Sequence, residues 1–496
     1  MSNFQRILSL GFVPIVALFA LQYFSPETFG SFQDAIHPYI SNTPLSHFFP
    51  DLLPPRQEIP IIISSTTHWS HVEKVAKIAL VVAELGYPVT FITGKAHEDH
   101  VKNLHPNITF SPMVGHDDKM SEEDIKTWLS LRGLEQELFA MKKVLVDGMP
   151  DQQESVQIQF QEFRKKYGND KPLISMFDQT LSGNLPVILG GLGIIPDANI
   201  GISLAPLALQ SNDTYPFRWG KTPETGPDAR ELHFKAWQDY LNEPHTKELN
   251  GAWWKKLKEM GAVQENYPDI FHAMNVLPQH LLQFGIPQFE FERSDIRNDI
   301  RYFGGFKNVR GQEKVPKLPA WWDDIAQAKK DGKKIVAVSQ GTIETDPKML
   351  ILPTLEALKD RDDMLVIASF VISEPEDVPN LVVPKNARVA KFVPYNLLLP
   401  LTDVLISNGG YGAVQHCMRV GTPMVVSGEG QDKANTNAIV QWSGVGLNLG
   451  GRKPGVNKLR EGIKAVLETD KYKKKAMAMS REYNKYDISR VVDGKF

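Results

Sequence analysis

The sequence predicts an α/β protein built from two doubly wound parallel-sheet domains that face one another across a cleft. Short β-branched runs alternate with helix-length amphipathic stretches, the order of a parallel βαβ unit. That alternation starts twice, once at Ile59 and again after Asp331. At 496 residues the chain is also too long for one hydrophobic core.

In the first half, IPIIISS is bounded by Pro60 and polar residues and reads as a buried strand. HVEKVAKIALVVAELGY repeats apolar residues at helical spacing and stops at Gly86, and PVTFIT is the next strand. PLISMF, a helix-length stretch and GIIPDANIGISL repeat the order. In the second half KKIVAVSQ is a strand, Gly341 turns, MLILPTLEALKD is a helix and MLVIASF a strand. NARVAKFV, DVLISN and PMVVSG add three more. The joining segment IRYFGGFKNVRGQEKVPKLP is basic and rich in Gly and Pro. The expected organisation is therefore 57–305 for the first domain, 306–475 for the second and 476–496 for a C-terminal helix packing back on the first. Open parallel sheets bind ligands outside the carboxyl ends of their strands, which here line the cleft.

Composition narrows the partners. With 55 Lys plus Arg against 58 Asp plus Glu, the net charge is -3, which argues against nucleic acid. Cys417 is the sole cysteine, so an internal disulfide and a cysteine-rich metal site are both excluded. ILSLGFVPIVALFALQYF, from Ile7 to Phe24, carries no charge and follows Arg6. It reads as an N-terminal transmembrane anchor within residues 1–26, since the small-x-small site of a cleaved signal is lacking. A cleaved signal or a buried helix remain the alternatives. Arg6 points to a single-pass membrane protein of the endoplasmic reticulum with its body in the lumen. The sequons Asn107-Ile-Thr and Asn212-Asp-Thr would be usable there, as in a glycoprotein.

DVLISNGGYGAVQHCMRV is a strand, a glycine turn and a helix. Glycines let backbone N–H groups approach a ligand closely, and the helix N-terminus adds partial positive charge, which suits a diphosphate. Tight packing alone also produces such turns. The context is more specific. Downstream come Gly421-Thr422-Pro423, the strand MVVSG and Asp432; upstream lie SQGT (Ser339 to Thr342) and Phe392-Val393-Pro394. This order, from about Ala337 to Leu449, resembles the nucleotide-binding domain of the family 1 UDP-sugar glycosyltransferases, which have the GT-B fold. The first half is similar too: WSHVEKVAKIALVVAELGYPVTF sets His71 fifteen residues before Gly86, the spacing of that family's catalytic histidine. Asp178, in LISMFDQT, falls where the family carries the acid that orients this histidine. Read without the family, His71 is a neighbour of a helix N-cap and Asp178 an N-cap itself. Trp321-Trp322, SQGT, LILPTLEALKD and NGGYG resemble fungal and bacterial glucosyltransferases of lipids and natural products, sophorolipid-forming enzymes among them.

The resemblance implies an inverting transfer of a hexose, glucose in the first instance, from a UDP-sugar co-substrate to a small hydrophobic acceptor, with no cofactor and no metal. His71 would be the general base and Asp178 its partner. Ser339, Gly341, Thr342, Asn408, Gly409, Gly410, Gly412 and Ala413 would hold the diphosphate. Phe392, Val393 and Tyr395 would line the base, His416 would lie at the ribose, and Asp432 and Lys433 at the sugar. Four positions depart from the family: Asn408 replaces a histidine, Ala413 a Ser or Thr, His416 an acid and Lys433 a Gln. Asn408 would serve as a neutral amide donor to phosphate, and Lys433 is either a local charge or a solvated residue. The apolar stretches APLALQSNDTYPFRW and LLQFGIPQF would build the acceptor pocket. A GT-B sugar-nucleotide epimerase and a non-catalytic sugar-nucleotide-binding protein stay open. HEDH (His97 to His100) lacks zinc-helix spacing and reads as surface polarity, and DRDD (Asp360 to Asp363) as a solvated turn.

Overall fold

The computed structural model describes residues 55–115, 121–264, 269–306, 317–341, 346–371 and 373–494. The expected anchor at Ile7–Phe24, Thr342 and residues 307–316 of the joining segment lie outside the described residues. Among the described residues no helix is long and apolar enough to cross a membrane.

Two wholly parallel sheets form the scaffold. The first comprises β1 (Ile61–Ser64), β2 (Val89–Thr93), β3 (Ile108–Pro112), β4 (Ile174–Asp178), β5 (Ala198–Ser203), β6 (His280–Gln283) and β7 (Ile300–Tyr302). Their spatial order is β3-β2-β1-β4-β5-β6-β7. The second comprises β8 (Lys334–Ser339), β9 (Met364–Ser369), β10 (Ala387–Ala390), β11 (Val404–Ser407), β12 (Met424–Val426) and β13 (Gly446–Asn448), ordered β10-β9-β8-β11-β12-β13. Each sheet winds outward in both directions from its first strand. The strand order therefore reverses between β1 and β4 and between β8 and β11, which are the topological switch points where such sheets bind ligands.

The helices that shape the cleft are numbered here in chain order. In α1 (Trp69–Glu84) Val72, Val75, Ala76, Ala79, Val82 and Ala83 are buried at the three- and four-residue spacing of one helix face. Helix α2 (Gly133–Lys142) belongs to the first half; α3 (Tyr411–Val420) and α4 (Lys433–Ser443) flank the turns of the second. A single apolar cluster runs through both halves, including Ile63 and Val72 of the first and Val414, Met418 and Val426 of the second. Phe284 stacks on Phe303 and meets the Tyr411 ring edge-on, so aromatic packing closes the junction. Helix α5 (Asp470–Tyr483) lies on α3, and α6 (Ile488–Gly494) packs on α1. The chain thus ends by returning to the first sheet's side.

Candidate functional site

β1 and β4 are adjacent and parallel with Ser64 opposite Phe177, so the chain leaves both at the same edge. β1 runs through Ser65, Thr66 and Thr67 into α1, whose first turn carries His71, and β4 ends on Asp178. The two side chains meet there. His71 Nδ1 lies 2.7 Å from Asp178 Oδ2. With its proton on Nδ1, the imidazole keeps its free lone pair on Nε2. The histidine side chain is 29% exposed and the aspartate 0%, which leaves the imidazole reachable and its partner sealed.

Asp178 is held on all sides by donors. Thr66 Oγ1 donates to Oδ2 at 2.9 Å, while the Thr180 N–H and hydroxyl donate to Oδ1 at 3.0 and 2.8 Å. Such a set fits only the ionised carboxylate. Burial acts to raise the Asp178 pKa, but the His71 charge and the His71 and Thr180 hydrogen bonds outweigh it, leaving the value below that of an ordinary aspartate. Sequence reasoning missed Thr66 and Thr180; the hydroxyl residues of SSTTHWSH and FDQT were the available signal. It also misread His97, whose Nε2 lies 2.7 Å from the Thr67 carbonyl and ties down the loop before α1. His68 is exposed at the start of α1, as a loop residue should be.

The second switch point holds the glycine turn. β8 and β11 end flush, Ser339 opposite Ser407. Gly409 follows with φ +89°, and a Cβ there would fall 1.8 Å from Asn437 Oδ1, so no other residue fits. Gly410 caps α3, and the Tyr411 N–H donates to Asp432 Oδ2 at 3.4 Å. Asp432 in turn stands at the start of α4. Gly341, with φ +81°, lies beside Asn408 Oδ1, bringing the SQGT turn to the glycine turn.

Several expected ligand residues need correction. Asn408 is buried; its Nδ2 donates to the Gln340 carbonyl and its Oδ1 accepts from the Gly410 N–H at 3.4 Å. The amide ties the two turns together. Lys433 is buried, not solvated, and its ammonium donates to Gln431 Oε1. Val393 is buried in the core, whereas Phe392 is 61% exposed. Tyr395 meets His416 edge-on at 6.1 Å, and burial pushes its phenol up to about 12 against the pull of Ser339. Burial, reinforced by Lys77 and Arg419, pushes His416 down to about 4, so it is a neutral imidazole at physiological pH. Ala413 sits half-buried in the first turn of α3. Of the acceptor stretches, LLQFGIPQF is mostly core, with Leu281, Leu282, Phe284 and Phe289 buried at the junction. APLALQSNDTYPFRW buries Leu207 and Leu209 but leaves Tyr215, Phe217 and Trp219 half-buried, with Tyr215 lining a cavity of about 250 Å³ beside Lys221 and Gln441. Among the described residues no group of three or more His, Cys, Asp or Glu side chains is placed to hold a metal ion.

The halves touch where the two sites face each other. Gln431, in the loop before α4, donates its N–H at 2.8 Å to Glu137 of α2, whose other oxygen pairs with Arg218 at 3.1 Å. Lys74 of α1, one turn beyond His71, lies against Gly412 in the first turn of α3.

Comparison with known proteins agrees with this architecture. Residues 353–486 match the erythromycin biosynthesis protein CIII-like, C-terminal domain. The chain is 32% identical over 455 residues to UDP-glucosyltransferase avaP of Aspergillus versicolor, covering 88% of this chain and 96% of that one. It is 28% identical to UDP-glucosyltransferase B1 of Starmerella bombicola over 86% of this chain and 96% of the relative. Among solved structures, the glycosyltransferase of kitacinnamycin superposes with a TM-score of 0.59 at 17% identity, over 88% of this chain and 97% of that one. A spinosyn rhamnosyltransferase, SpnG, complexed with thymidine diphosphate, gives 0.55 at 14% identity, over 88% and 99%. These structural matches speak for the GT-B fold, and the sequence relatives for the activity. The chain belongs to the family 1 UDP-glycosyltransferases, enzymes that transfer a hexose from a UDP-sugar, and the non-catalytic reading falls away.

Proposed function

We propose that the protein is an inverting glucosyltransferase that moves glucose from UDP-glucose to a hydroxyl of a small hydrophobic acceptor, a lipid alcohol or a secondary metabolite. The observation that carries this reading is the His71–Asp178 pair at the switch point of one sheet, with the glycine turn at the switch point of the other. The relatives named as UDP-glucosyltransferases support glucose as the sugar.

In this mechanism His71 Nε2 takes the proton of the acceptor hydroxyl. The oxygen bonds to the anomeric carbon as the bond from that carbon to the diphosphate breaks, and its electron pair leaves with UDP. A single displacement inverts the anomeric centre. Asp178 steadies the imidazolium, and a base so placed contributes ~10²–10⁴-fold. The N-terminus of α3 meets the charge growing on the diphosphate, so the step calls for no metal. Phe392 is exposed and suited to stack on the base; Asp432 accepts hydrogen bonds from sugar hydroxyls. Trp69, exposed beside His97 and His100 in the first turn of α1, offers an aromatic face to a hydrophobic acceptor.

Purified protein incubated with UDP-glucose and a panel of hydrophobic alcohols and phenols should yield products one hexose heavier, with or without EDTA. Absence of UDP release with every sugar donor would overturn the reading. The same reading keeps Ile7–Phe24 as an anchor in the endoplasmic reticulum with the enzyme body in the lumen. Asn107 is exposed and its sequon would then be glycosylated; unchanged gel mobility after glycosidase treatment would refute that orientation.

A further inference from the structure

Lys74 reaches the glycine turn from the opposite half of the molecule. It lies three residues after His71, so both project from one side of α1. A Cβ added to Gly412 would sit 3.2 Å from Lys74 Cε and 3.5 Å from Nζ. Gly412 thus leaves room for the lysine to lie against the first turn of α3.

Its surroundings are unfavourable for a resting cation. The first N–H groups of a helix carry partial positive charge, so an ammonium held there is repelled by the dipole it faces. Among the described residues Lys74 has no carboxylate within ion-pair distance; its ammonium donates to the Ser70 carbonyl of its own helix at 2.5 Å. The adjacent Glu73 is engaged with Lys77 at 2.6 Å. Burial pulls the Lys74 pKa below that of an ordinary lysine; Glu73 opposes this, Lys77 adds to it, and Asp432 from across the cleft and Asp178 from the same half oppose it. The α3 N-terminus and the Lys74 ammonium converge on one point, where Asp432, which accepts from the Tyr411 N–H, is the carboxylate present, and the further negative charge of a diphosphate is what the two together would hold. In the turn's own domain Asn408 is neutral and bound to Gln340, and Lys433 is buried on Gln431.

We propose that Lys74 binds the diphosphate of the sugar donor across the cleft, jointly with the N-terminus of α3, and stabilises UDP as the leaving group. This rests on reading the glycine turn as the donor seat. The consequence is a donor site completed only when α1 stands against α3, on the same helix that carries the base. Donor binding and alignment of His71 are thereby coupled.

The test compares UDP, UMP and uridine binding by calorimetry, together with steady-state kinetics, for the full chain and for Lys74→Met and Lys74→Arg. A charged hydrogen bond is worth roughly 10–100-fold in affinity. Lys74→Met should weaken UDP by that factor, leave uridine unaffected and lower kcat, while Lys74→Arg restores most of the UDP affinity. UDP affinity unchanged in Lys74→Met would overturn the proposal. So would a shifted pH profile of kcat with UDP affinity intact, since Lys74 would then act on the His71–Asp178 pair. If the parent protein binds no UDP, the donor seat itself is wrong and the proposal falls with it, an outcome separate from a failure of Lys74 alone. Matching thermal unfolding of Lys74→Arg and the parent establishes that the site is intact.

Discussion

Asp178 shows what a single side chain contributes here. Its oxygens accept from Thr66, His71 and Thr180, and each partner can only give a proton in these contacts. Replacement by asparagine turns one oxygen into an NH₂ that faces donors, leaving buried polar groups opposed and the histidine without a fixed tautomer. Asp178→Asn should therefore lower kcat by at least ~10²-fold while UDP affinity, measured by calorimetry, stays at the parent value. Equal losses in both would mean that the pair supports the fold and not the chemistry. His71 and Asp178 were legible in the sequence because a family spacing reached them. Thr66, Thr180 and Lys74 were not: a threonine or lysine at such a position is common on any surface, and only the approach of separate strands gives it a role. Asn408 was legible as a departure, but its buried bond to Gln340 was not.

At the scale of elements, the strands lying in apolar runs bounded by Pro, Gly or polar residues were readable, β1, β4, β8 and β11 among them, and these four position the site. β7 and β13 are three residues long, too short to show a period of two, and β6, HLLQ, has no β-branched residue. β3, in NITFSP, ends on proline at a sheet edge, where a missing N–H costs no ladder bond. LLQFGIPQF read as a pocket because composition cannot tell an aromatic lining from an aromatic core. The turn after β11 depends on its glycine. Gly409→Ala would force a side chain into φ +89° and onto Asn437. The backbone strain alone is about 1–3 kcal/mol. A lower Tm together with lost UDP binding is the expected result; parental values of both would show that the turn relaxes freely.

Across the whole molecule, the site depends on how the halves are held. The Tyr411 hydroxyl donates to the Phe284 carbonyl at 2.9 Å and lies 3.4 Å from Glu290 Oε1, joining α3 to the end of the first sheet. Burial raises Glu290 from 4.5 to about 7, opposed by Arg293, the Leu207 N–H and Tyr411. A carboxyl raised on folding keeps a proton that the unfolded chain has already released, so its contribution is full below about 4.5 and is lost as pH rises to about 7. Glu290→Gln should flatten the fall in Tm between pH 5 and pH 7.5, an effect of at most a few kcal/mol. An unchanged profile would show Glu290 ionised against Arg293 throughout. The two-domain plan was legible because the βαβ order restarts after Asp331; the contacts that set one half against the other, such as Glu137 to Gln431, span nearly three hundred residues and leave no local trace.

The central claim is that proton removal belongs to the first sheet's switch point and donor binding to the second's. The direct measurement is UDP affinity beside single-turnover glucosyl transfer for His71→Ala. Transfer should fall by ~10²–10⁴-fold with UDP affinity at the parent value. Parental turnover in His71→Ala, or loss of UDP binding in step with turnover, would contradict that division.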